Sequence, residues 1–104
     1  MTQKKKKSDP WALLGLARRA GAVQVGTERV REALRLGEAR LIIVAADAAP
    51  GQRRKVEALA VAREIPVLIG PNREELGGML GVFELSAVAV TDARFAELLS
   101  GRTS

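Results

Sequence analysis

The chain predicts an α/β protein: a single domain built as a three-layer α/β/α sandwich around a mostly parallel, mixed four-stranded sheet. Three observations carry that expectation. Leu41–Ala45 and Ala87–Val90 are apolar without interruption over strand length, the pattern of strands covered on both faces. Segments with apolar residues at helical spacing separate the strand-like runs, so the order alternates as α-β-α-β-α-β-α-β-α. Finally, 104 residues, 47% apolar and 28% charged, suffice for one core and its polar coat. Helix-length connections between buried strands favour parallel pairing with right-handed crossovers, which puts helices on both sheet faces.

Taken in order, residues 1–8 are expected to form a disordered basic arm, 9–100 the domain and 101–104 a short tail. Asp9 is the expected N-cap of a first helix with Pro10 at its first position, where a missing N–H costs nothing. That helix runs to Ala20, with Leu13, Leu16, Ala17 and Ala20 on the inner face and Gly21 as the stop. Ala22–Val25 is a short extended segment suited to a sheet edge. Thr27 is the expected N-cap of a helix to Leu36 that buries Val30, Ala33, Leu34 and Gly37. After the Leu41–Ala45 strand, a helix from about Gly51 to Arg63 turns Val56, Leu59 and Ala60 inward, and Pro66–Ile69 forms a second buried strand. Asn72 and Glu75 have capping-box spacing for a short helix to Leu80. After the Ala87–Val90 strand, Asp92 caps a closing helix that carries Phe95, Leu98 and Leu99 inward.

Composition excludes several classes of chemistry. The chain has no His and no Cys, so zinc fingers, imidazole or thiolate catalysis and disulfides are ruled out. Aromatics are confined to Trp11, Phe83 and Phe95, too few for a sheet that stacks successive bases. Phosphate-cradling G-x-x-x-x-G-K-[ST] and dinucleotide G-x-G-x-x-G patterns are both missing. Gly77, Gly78 and Gly81 surround a predicted helix, where they serve tight packing and a helix stop. Asp47 and Asp92 follow predicted strands, but without a further acidic cluster and a placed Lys they read as turn and cap residues. No Ser has a base. The expectations are therefore no catalytic residues, no metal, no cofactor, no small-molecule substrate and no enzymatic activity. No apolar stretch reaches bilayer-spanning length. Lys4–Lys7 followed by Trp11–Ala17 superficially resembles a signal peptide, but Asp9-Pro10 interrupts it and Arg18-Arg19 ends it early. A cytoplasmic, monomeric protein without a membrane partner is expected.

Charge points to an anionic partner. Seventeen Lys and Arg outnumber twelve Asp and Glu, giving +5, and Lys4–Lys7 supplies four of the positive charges. The rest is asymmetric: residues 8–63 hold ten basic and six acidic groups, residues 64–104 three and six. Arg29, Arg31 and Arg35 line the outer side of the second helix among Glu28 and Glu32, whose i,i+3 spacing also suits a solvated face of weak pairs. Arg53-Arg54-Lys55 near a helix start opposes the macrodipole, which favours a functional role.

Leu14-Gly15-Leu16-Ala17-Arg18-Arg19-Ala20-Gly21, Gly26-Thr27, Leu41–Asp47, Leu76-Gly77, Gly81 and Ala87–Asp92, in this order, resemble the ribosomal-protein L-seven-Ae/L-thirty-e superfamily. Residues 13 to about 99 are covered, and the small bacterial YlxQ-type members are the most similar. The resemblance implies the same α/β/α fold and recognition of structured RNA, in many members a kink-turn. There a strand-to-helix junction of Gly and Thr or Ser, then Asn-Glu, with a Lys one turn on, lies against the RNA. Gly26 and Thr27 match; Glu28, Arg29 and Glu32 stand in the Asn, Glu and Lys places. An Arg cannot accept a hydrogen bond from a guanine amino edge, and Glu32 repels phosphate. The second contact the resemblance implies is an apolar loop before the last strand, matched by Gly81-Val82-Phe83. Phe83 either stacks on a base or packs under the loop. Arg54 and Lys55 match a basic pair common in YlxQ-like chains.

Together these imply a non-enzymatic binder of bent, bulged or kink-turn-like RNA, linked to the ribosome or translation. The expected contacts are Gly26, Thr27, Glu28, Arg29, Arg31, Arg54, Lys55, Val82 and Phe83. The alternative is a protein-interaction adaptor on the same fold with lost or relaxed RNA specificity.

Overall fold

The computed structural model describes residues 10–103; the basic arm and the Asp9 cap lie outside the described residues. A 3-10 turn at Pro10–Ala12 leads into α1 (Leu13–Arg19), β1 (Val23–Val25), α2 (Thr27–Arg35), β2 (Leu41–Val44) and α3 (Pro50–Ala62). Then come β3 (Val67–Ile69), α4 (Arg73–Met79), β4 (Ala87–Val90) and α5 (Ala93–Thr103), so the closing helix continues past residue 100.

The strand order is β1-β4-β2-β3. β2 and β3 pair in parallel, while β4 is antiparallel to both β1 and β2. The three-layer sandwich with a mixed sheet stands, and β1 and β3 take the edges. The expectation of mostly parallel pairing does not stand. β1, β2 and β3 point one way, as the crossovers through α2 and α3 require, but β4 runs against them between β1 and β2. The cause is the connection from β3 to β4. Helix α4 has seven residues, about 10 Å of rise, and residues 80–86 bring the chain back to the sheet end it left. A helix between two strands implies parallel pairing only when it traverses the sheet.

Alternation along the two central strands divides the core. Leu41, Ile43, Val88 and Val90 face α1, α4 and α5, meeting Leu14, Leu76 and Leu99. Ile42, Val44, Ala87 and Ala89 face α2 and α3, meeting Val30, Leu34, Val56 and Ala60. Every residue of β2 and β4 is buried, as uninterrupted apolar runs demand. Edge position changes β3: its residues are half-buried and Ile69 is exposed, so it is not the fully buried strand expected.

Three helix faces also differ from expectation. In α1 the buried residues are Leu14 and Ala17, with Leu13 half-buried and Leu16 and the following Ala20 exposed. Gly37 and Leu98 are exposed as well, each lying at or beyond the margin of its helix's core stripe. The cap of α2 is Gly26, with Thr27 already helical. The caps expected at Asp92 and Asn72 are formed. Asp92 Oδ1 accepts from the Arg94 and Phe95 N–H groups at 2.8 and 3.2 Å. Asn72 and Glu75 form the reciprocal capping box.

Candidate functional site

The C-terminal ends of β1, β2 and β3 and the start of β4 share one end of the sheet, and the candidate residues gather there. Gly26 forms the β1–α2 junction with φ 99° and ψ 144°, a conformation that only glycine adopts without strain. Its N–H donates to the Ala87 carbonyl at 3.0 Å, and its carbonyl accepts from the Val30 N–H at 2.9 Å. One residue thus closes the β1–β4 ladder and opens α2. Thr27 sits in the cleft between β4 and α3, where it lines a shallow pocket with Gln52, Arg53 and Ser86. Glu28 and Arg29 are exposed on the first turn of α2.

The loop before β4 reaches the same sheet end by backbone contacts. The Ala45 N–H donates to the Ser86 carbonyl at 2.9 Å, and the Val82 N–H donates to the Gly77 carbonyl at 2.9 Å. Gly77 is pressed so tightly against the loop that a Cβ there would stand 2.8 to 2.9 Å from Phe83 O, Glu84 Cα and Val82 O. Gly81, with φ 78°, turns the chain out of α4. Val82 and Leu85 pack onto the core on either side of the tip. Phe83 is lifted into solvent and is 86% exposed. That exposure removes one of the two roles open to Phe83: it is not packed under the loop as a core residue. Val82, by contrast, is a half-buried anchor for the ring's support.

The basic run of α3 is split three ways. Pro50 occupies the first helical turn, so Arg53 begins the second turn. Arg53 turns toward the sheet-end pocket, and its Nε donates to Glu57 Oε2 at 2.9 Å. Arg54 is exposed on the outer side, and Lys55 turns toward α2, sharing a groove with Arg31 and Arg35. Arg54 and Lys55 are therefore not gathered with the junction; Gln52 and Arg53 are. Their signal in the sequence is spacing, since both lie one turn before the inward-facing Val56. Arg73 is a further cation at the sheet end. Its N–H donates to Asp47 Oδ1 at 2.8 Å, and its Nε lies 3.6 Å from the same oxygen, an ion-pair separation too long for a hydrogen bond. Asp47 thereby holds the start of α4 from the loop after β2. The two residues are 26 apart in the chain, so no local pattern announces the contact.

The i,i+3 pairs Glu28–Arg31 and Glu32–Arg35 are not formed; the ion pairs among the described residues are Arg53–Glu57 and Arg73–Asp47. Arg29 and Glu32 instead line an open groove of about 330 Å³ with Gln24 and Glu38. No group of three or more acidic side chains among the described residues is placed to hold a metal ion. No helix among them is long and apolar enough to cross a membrane.

Curated relatives match over most of this length. The chain is 34% identical over 86 residues to the large ribosomal subunit protein eL8 of Methanobrevibacter smithii, covering 81% of this chain and 70% of that one. It is 34% identical over 87 residues to the RNA-binding protein YlxQ of Bacillus subtilis, covering 84% and 87%. It is also 32% identical over 106 residues to the large ribosomal subunit protein eL30 of Neurospora crassa, covering 96% of each. Among solved structures, a protein with unknown function from Bacillus halodurans C superposes with a TM-score of 0.86 at 33% identity, covering 91% of this chain and 96% of that one. The Giardia lamblia 15.5kD RNA binding protein shares the fold, with a TM-score of 0.78 at 17% identity over 88% of this chain and 79% of that one. The sequence profile of one family matches residues 12–100, the whole sandwich, and the chain belongs to that family: ribosomal protein L7Ae/L30e/S12e/Gadd45.

Proposed function

We propose that this protein is a non-enzymatic RNA-binding protein that grips a bent or bulged RNA at the sheet end carrying Gly26–Arg29 and Val82-Phe83. The observation that supports this most is the exposed Phe83 ring on a rigidly backed loop. Burying such a ring is favourable, yet Gly77, Val82 and Leu85 hold it out of the core. A flat aromatic face on the loop that leads into the start of β4, the sheet end that also carries Gly26 and Thr27, suits an unstacked base. Family membership and the RNA-binding name of the YlxQ relative support the same reading. Arg29 replaces an acceptor with a donor at the junction, so the expected target is a kinked or bulged RNA other than a standard kink-turn. Within this reading the protein acts as a cytoplasmic monomer associated with ribosomal or other structured RNA.

Phe83→Ala tests the reading. Its exposure predicts a stability change within about 0.5 kcal/mol. Loss of base stacking predicts about 1–3 kcal/mol weaker RNA binding, or about 5- to 150-fold in Kd. Fluorescence anisotropy on a bulged hairpin, together with a urea midpoint, reads both quantities. Unchanged affinity at unchanged stability would move the function to the adaptor alternative.

A further inference from the structure

We propose that the furrow between α2 and α3 is a second binding surface, a track for RNA phosphates running away from the sheet end. The inference rests on the RNA-binding reading above and extends it to a surface outside the junction and loop. Arg31 and Arg35 of α2 and Lys55 of α3 line one groove of about 390 Å³, floored by Ala58 and Leu59. No carboxylate lines it, and none of the three cations forms an ion pair among the described residues. Leaving three like charges side by side is unfavourable for the free protein, and an anion relieves it. The groove beside it, lined by Arg29, Glu32 and Glu38, carries carboxylates and does not offer the same field.

Position ties the furrow to the sheet end. Thr27, Arg31 and Arg35 follow i,i+4 spacing and form one stripe down α2. At the top of that stripe Thr27 shares its pocket with Gln52 and Arg53; Gln52 lies one turn of α3 before Lys55 and two before Leu59. RNA held at the junction therefore meets the furrow without leaving the surface. Four helical residues rise about 6 Å. Two cations one helical turn apart suit successive phosphates of a continuous backbone better than they suit a single anion. The apolar floor accommodates sugars and makes no base-specific demand, so the track adds affinity and salt dependence without sequence preference.

The test uses the full chain and two synthetic RNAs. Both carry the same asymmetric bulge in a hairpin; one has a short flanking stem, the other a stem longer by one helical turn. The unmutated protein should bind the longer RNA more tightly. The triple variant Arg31→Ala, Arg35→Ala, Lys55→Ala should lose that advantage, with the slope of log affinity against log salt shallower by about 2 to 3. The variant Arg31→Lys, Arg35→Lys should keep the slope, because phosphate tracking needs charge rather than a guanidinium fork. Urea midpoints within error of one another would show that all variants fold alike. A slope on the longer RNA that the triple substitution leaves unchanged overturns the track while the sheet-end reading survives. Poly-glutamate bound by the unmutated chain and lost in the triple variant, with RNA binding unaffected, assigns the furrow to an acidic polypeptide and likewise overturns it. Absence of salt-dependent RNA binding by the unmutated protein removes both readings.

Discussion

Gly77→Ala should both destabilise the fold and weaken RNA binding, although the residue lies in a helix and alanine is the better helix former. A Cβ at Gly77 would stand 2.8 Å from Phe83 O and 2.9 Å from both Glu84 Cα and Val82 O. All three are backbone atoms, so no side-chain rotation relieves the overlap. The loop must move, and it moves at the point where the Val82 N–H meets the Gly77 carbonyl and Val82 packs on the core. The expected cost is about 1–3 kcal/mol of stability, typical of overpacking. The Phe83 ring shifts with the loop, so affinity of the folded protein should fall as it does in Phe83→Ala. Gly51→Ala in the first turn of α3 is the control. That position has ordinary backbone angles and open space, so it should be neutral or stabilising by about 0.4–1 kcal/mol. Urea denaturation of both variants and RNA titration of the folded fraction check the contrast.

Gly26→Ala should have an effect of similar size by a different route. Nothing lies within 4 Å of a Cβ built there, so space is not the obstacle. Backbone conformation is: φ 99° with ψ 144° is closed to side-chain-bearing residues at a cost of about 1–3 kcal/mol. Relaxing φ would break the Gly26 N–H to Ala87 carbonyl bond or tilt the first turn of α2, and either change displaces Thr27–Arg29 from the β4 end. A retained RNA affinity in a destabilised Gly26→Ala protein would mean that the junction's geometry is structural only.

Sequence pattern carried the architecture further than the side-chain detail, for physical reasons visible in particular residues. Leu41–Val44 and Ala87–Val90 were readable because two-sided burial leaves no polar residue in the run. Asn72–Glu75 and Asp92 were readable because their capping bonds are local. Strand direction was not: the path of residues 70–86 depends on where α4 packs. The inner face of α1 was not, since Leu13, Leu14, Leu16 and Ala17 spread over nearly half the helix circumference and leave the centre of the buried stripe open. At the site, Gly26 and Thr27 and the loop that carries Phe83 stood out by glycine punctuation and by a lone aromatic in a chain with only three. The split of Arg53, Arg54 and Lys55 needed the helix phase that Val56 and Ala60 supply. Arg73 needed the tertiary contact with Asp47.

In the proposed function, RNA meets this chain at one sheet end, through two segments more than fifty residues apart. Backbone amide NMR of the labelled full chain, titrated with the bulged hairpin, tests it most directly. The amides of Gly26–Arg29 and of Val82–Glu84 should shift together at the same RNA concentration, with those of Arg31 and Lys55 following on the longer stem. Shifts centred instead on the opposite sheet end, around Gly37–Arg40 and Glu64-Ile65, would contradict the account.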